Sequence, residues 1–93
     1  MATYTLYEYD TVTPAGEPVR PATVRTAGLA FGAAQRLAQS TVFYEVIPDA
    51  DAYLRVSSDG AAATAADEKV FAGVGGDGNI RLLDRPYVYL TAA

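Results

Sequence analysis

The chain contains no cysteine and no histidine. Without thiols it can form neither a disulfide framework nor a thiolate metal site, and its redox compartment is left open. Without imidazole it lacks the commonest general base, the commonest transition-metal ligand and the side chain that titrates near neutral pH. Ser57 and Ser58 therefore have no histidine to activate them, and no lysine at a telling spacing. Basic charge is scarce as well: seven Arg or Lys stand against eleven Asp or Glu, a net charge of −4. The basic residues (Arg20, Arg25, Arg36, Arg55, Lys69, Arg81 and Arg85) are scattered singly among acids, whereas a nucleic-acid binder concentrates them on one face. No run approaches the roughly 18 uninterrupted apolar residues of a membrane span. Residues 1–10 lack the basic segment and apolar run of a signal peptide. These absences argue against an enzyme, a DNA or RNA binder and a membrane protein. They leave a soluble chain with no cofactor to expect.

What is present points to β structure. The 93 residues suffice for one domain, taken as residues 1–93, with one core. Hydrophobic residues make up 51% of the chain, but many are alanines that bring little apolar area. A domain this small buries only about 60–65% of the surface its unfolded chain exposes, so partner subunits are expected to supply further burial, and homo-oligomers with it. Residues 2–10 are dense in Thr and Tyr and alternate as a half-buried strand does. Pro14, Gly16, Pro18 and Pro21 then interrupt any ladder, and residues 22–26 read as a short strand. Residues 1–21 are thus expected as an N-terminal hairpin or extended arm, and residues 22–93 as the body of a sandwich.

Residues 28–40 are ambiguous. Leu29, Ala33 and Leu37 lie at helical spacing, while Gly28 and Gly32 count against a helix, so a short helix and an irregular strand or loop both stand. From Thr41 the pattern is plain. Residues 41–47 form a strand, Pro48-Asp49-Ala50-Asp51 a turn, and residues 52–57 a strand with Ala52, Leu54 and Val56 on one face. The two read as a hairpin. Residues 58–69 read as a surface loop, residues 70–72 as a brief strand, and residues 73–79 as a flexible glycine turn. Strands over 79–83 and 87–91 close the chain. Short strands with frequent turns define the expected class: mainly β, a small sandwich or a jelly-roll-like barrel.

Two motifs resemble ligand sites and are better explained as turns. Asp49 and Asp51 form a D-x-D pair that could hold a divalent cation, but the further oxygen ligands and the bidentate Glu of such a loop are missing, so no metal is expected. The glycines at 73–78 lack the Gly-Lys-Ser/Thr ending of a phosphate loop, and no helix pattern follows them. Glu45 with Asp49 or Asp51 has no spacing that would specify an acid–base pair. The tyrosines are more informative. Tyr4, Tyr7, Tyr9, Tyr53, Tyr87 and Tyr89 fall on expected strands, and outward-facing rings of this type suit protein contacts.

Residues 31–90 resemble a group of small bacteriophage virion proteins. The shared pieces are a Thr-led apolar strand (Thr41–Ile47), the Asp49–Asp51 turn and the Tyr53-Leu54-Arg55-Val56 strand. They continue with the Ala63-Thr64-Ala65-Ala66-Asp67 loop, the Phe71-Ala72-Gly73 step and the final strands within Ile80–Leu90. The longer glycine turn and Leu83-Asp84-Arg85-Pro86 depart from the group pattern. The resemblance implies a β-sandwich or jelly-roll-like protein that docks in many copies on a virion. Its partner would be the major capsid protein or another virion protein, and its location the particle, after synthesis in the host cytoplasm. A capsid decoration (cement) protein is the leading expectation, with Tyr4, Tyr7 and Tyr9 on an arm ordered against a neighbouring subunit by strand addition. A tail, neck or fibre component is the alternative among structural roles. A carbohydrate- or receptor-binding module, or a small inhibitor of host proteins, is the alternative from another class.

Overall fold

The alternation of apolar and polar residues becomes two layers of strand. The computed structural model describes residues 2–74 and 80–93. Its strands are β1 (Thr3–Tyr9), β2 (Val24–Ala30), β3 (Gln35–Arg36), β4 (Phe43–Pro48), β5 (Ala52–Ser57), β6 (Glu68–Val70), β7 (Arg81–Leu82) and β8 (Tyr87–Ala92), with no helix among the described residues. The first sheet runs β2-β1-β4-β7 and the second β3-β8-β5-β6. Every pairing is antiparallel. The molecule is a small β-sandwich and not a closed barrel.

Strand parity decides what is buried. In the first sheet Tyr4, Leu6 and Glu8 of β1 stand opposite Pro48, Val46 and Tyr44 of β4, and all six are buried. In the second, Ala52, Leu54 and Val56 of β5 stand opposite Ala92, Leu90 and Val88 of β8. Leu6, Val88 and Leu90 are fully enclosed where the two layers meet, with Leu37 from the β3–β4 connection joining the same core. Burying such a side chain contributes about 1.5–3 kcal/mol, so a handful of residues carries much of this small domain's stability. Tyr4 is part of this core, its ring 6.1 Å from that of Phe31.

Three expectations need correction. First, β1 is not a free arm: it lies between β2 and β4 and pairs along both edges. Of the two readings of the N-terminus only the hairpin remains, since β1 and β2 are sequence neighbours paired antiparallel. Second, β4 and β5 do not make a hairpin. They belong to different sheets, and Pro48–Asp51 carries the chain across the sandwich. The physical reason is that Pro48 closes β4 without an N–H to continue a ladder into the turn. Third, of the two readings of residues 28–40 the irregular strand and loop holds and the short helix does not. Gly28 (φ +72°) and Gly32 (φ +86°) adopt left-handed conformations that interrupt any helix, so the segment becomes the end of β2, a tight turn and β3.

The β1–β2 connection is a small secondary hairpin. Thr13 N–H donates to the Glu17 carbonyl (2.8 Å), Val19 N–H donates to that of Thr11 (2.9 Å), and Val12 bridges to Pro18. At its base the Thr23 and Thr11 hydroxyls donate to Asp10, the Thr23 contact first among the causes that hold this carboxyl below its ordinary range. The β3–β4 connection is fixed from inside by Glu8. Its Oε1 accepts from Ala38 N–H (2.9 Å) and Thr41 Oγ1 (2.8 Å), which explains how a carboxylate sits on the inner face of β1. On the opposite edge Arg81 of β7 donates through both terminal nitrogens to the Glu68 carboxylate of β6, tying the two sheets together beside Tyr44.

Candidate functional site

The two sheets leave two outer faces, and strand alternation turns the odd-numbered residues of β1, β4, β5, β6 and β8 toward them. On the first sheet Tyr7 stands between Arg25 of β2 and Glu45 of β4. The Arg25 guanidinium lies 5.9 Å from the Tyr7 ring centroid, and its Nε donates to the tyrosine hydroxyl at 3.4 Å. The contact candidates on β1 therefore divide. Tyr7 remains half-buried on an outer face, but Tyr4 and Tyr9 are only 2% and 3% exposed and are withdrawn as docking residues. Strand addition through β1 is likewise closed, because both its edges are occupied.

The other three tyrosines converge. Across the second sheet Tyr53 pairs with Thr91, Arg55 with Tyr89, and Ser57 with Tyr87, which puts Tyr53, Tyr87 and Tyr89 on one face. Diagonal positions on such a ladder lie about 7–8 Å apart, so the three tyrosines are near neighbours along this face. On one flank Arg36 of β3 pairs with Tyr87; its guanidinium sits 5.4 Å from the ring centroid and donates to the hydroxyl at 3.2 Å. On the other flank Lys69 of β6 pairs with Tyr53, its ammonium 5.5 Å from the Phe71 ring centroid. In the middle, Arg55 Nε bonds both oxygens of Asp67 at 3.3 and 3.1 Å.

Asp67 organises the loop that borders this face. Its Oδ2 accepts from Thr64 N–H at 2.7 Å, the main reason its carboxyl is held below the ordinary carboxylate range, with Arg55 adding to the effect. The same loop packs against this face at Gly60. A Cβ there would come 3.1 Å from the Ala34 Cβ and 3.6 Å from the Tyr87 ring, and φ is +75°, so glycine is required on both counts. Tyr87 is thus wedged between Arg36 and the loop, while Tyr53 and Tyr89 hold the freer end. Arg36, Arg55, Lys69 and Asp67 were not contact candidates in the sequence because their charges are isolated there. Only sheet pairing collects them.

The D-x-D carboxylates act as tethers. Asp49 accepts from Thr3 N–H (2.9 Å) and Thr3 Oγ1 (3.3 Å), and Asp51 from Ala72 N–H (3.0 Å). Asp49 binds the start of β1 and Asp51 the turn that follows β6, neither its own turn, so the two are committed in different directions. Among the described residues no group of three or more carboxylates gathers as a metal site. The glycine turn expected over 73–79 falls, from 75 onward, outside the described residues. No protein-family model, curated protein or solved structure was found to match the chain.

Proposed function

We propose that this chain is a non-catalytic virion component of a bacteriophage, a capsid decoration protein that docks on the major capsid protein through the outer face of its second sheet. The observation that carries the reading is the convergence of Tyr53, Tyr87 and Tyr89 with Arg36, Arg55 and Lys69 on one face. Tyrosine and arginine are among the residue types that dominate the energetics of protein interfaces, tyrosine through a large rigid ring with a polar end and arginine through a planar guanidinium with several donors. Cross-strand packing holds these side chains in place before binding, which lowers the ordering cost of association. Repetition over a symmetric shell would multiply modest individual contacts.

The experiment mixes the purified chain with undecorated capsids of its phage and measures binding and resistance to thermal or osmotic rupture. The proposal expects binding and a gain in resistance. Tyr53→Ala together with Tyr89→Ala is expected to weaken binding by about thirtyfold or more, the cost of losing one hot spot of about 2 kcal/mol, with the fold retained. Lys69, the chain's one lysine, is expected to lose reactivity toward an amine-acylating reagent when bound. Absence of binding would overturn the reading. Displacement by a soluble glycan would replace it with a carbohydrate-binding role for the same face.

A further inference from the structure

A sandwich has four edge strands, and an unpaired edge invites another chain to add to it. Three of the four here are only two or three residues long: β3, β6 and β7. The fourth, β2, is different. It runs seven residues, Val24–Ala30, contains neither proline nor lysine, and among the described residues has a neighbour on one side only. Five of its seven residues are exposed, Val24 and Ala30 at its two ends among them. By length and composition it is the natural template for pairing with a second copy.

Its geometry departs from that template at one point. Tyr4 pairs with Leu29 and Leu6 with Thr26, so the single residue Thr5 faces two residues, Ala27 and Gly28. Gly28 has φ +72°, the left-handed conformation of the glycine-type bulge, and nothing lies within 4 Å of where its Cβ would be. Packing therefore does not require the glycine; the backbone path does. The extra residue breaks the two-residue repeat of β2, so its outward N–H and C=O groups do not form one straight seven-residue row. The pieces left on either side are as short as the other three edges.

We infer that the bulge at Ala27-Gly28 keeps the long free edge of β2 from pairing with a second copy of this chain. The device is independent of the docking face on the second sheet, because it acts on the opposite sheet. Deleting Gly28 restores a one-to-one register, with Thr5 facing Ala27, and should turn the edge into a straight template. The deleted protein is expected to shift from the wild-type sedimentation coefficient to a two-chain or larger species at matched concentration, with new amide protection along β2. Deleting Ala27 restores the same register by another route and should do the same. Gly28→Ala keeps the residue count, and is expected to lower stability without association. A folded deletion variant that sediments as the wild type does would overturn the inference. So would slowing of amide exchange in wild-type β2 as protein concentration rises, and this second measurement needs no variant to fold.

Discussion

Leu6→Ala is expected to cost about 3–5 kcal/mol, the largest loss from any single truncation proposed here. Leu6 has no exposed surface, sits at the middle of β1, and lies between Thr26 of β2 and Val46 of β4. Removing its methyls forfeits the transfer free energy and leaves a cavity between two sheets whose ladders resist collapse. A domain of this size has about 5–15 kcal/mol in total, so the variant would lose from about a fifth of its stability to all of it. In a thermal melt the loss corresponds to roughly 15–30 °C. Leu6→Met, which keeps the volume, should cost less than about 1.5 kcal/mol. Urea midpoints for the two variants check both figures. A loss below about 1 kcal/mol for the alanine variant would place the N-terminal segment outside the core.

The second large effect is alkaline. Burial pushes the Tyr4 hydroxyl from an ordinary value near 10 up to about 12. Below pH 10 both folded and unfolded chains keep this proton, and the group has no influence on stability. Between pH 10 and 12 the unfolded chain releases it while the folded chain retains it, so stability falls as pH rises, by about 1.4 kcal/mol per pH unit. The whole window removes on the order of 2–3 kcal/mol. Tyr44 is raised by burial in the same sense, opposed by the neighbouring Arg81, and steepens the fall. Tyr4→Phe removes the first contribution. It is expected to match the wild type at pH 8 and to exceed it by about 2–3 kcal/mol at pH 12, measured by urea unfolding at stepped pH. Equal alkaline losses in the two proteins would contradict the burial of this hydroxyl.

The strands that bury a clean alternation were legible. Residues 52–57 are a strand with Ala52, Leu54 and Val56 inward, as the period of two predicts, and the C-terminal strand begins at Tyr87 as its turn signal predicts. What the pattern did not reveal was which strands pair. Strong strands joined by a four-residue turn resemble a hairpin, yet the same pattern serves a crossing between layers, because parity alone is indifferent to which sheet a strand joins. Likewise Tyr4, Tyr7 and Tyr9 look alike in sequence, and only their neighbours separate them: Pro48 and Leu29 enclose Tyr4, whereas Tyr7 faces Arg25 and Glu45. The helical spacing of Leu29, Ala33 and Leu37 was overruled by two left-handed glycines. The candidate face was half legible. Tyr53, Tyr87 and Tyr89 followed from strand composition, but Arg36, Arg55 and Asp67 come together from distant positions, which no local pattern can signal.

The division of labour between the sheets turns on β1. If residues 3–9 are an interior strand, the N-terminal tyrosines hold the domain together and contact falls to the second sheet. Amide hydrogen exchange on the free protein tests this most directly. The N–H groups of Thr5, Leu6 and Tyr7 are expected to be as protected as those of Val88 and Leu90 in β8, opening only with global unfolding. Exchange at those three amides as fast as in the Thr11–Glu17 connection would show an unpaired arm and contradict the account.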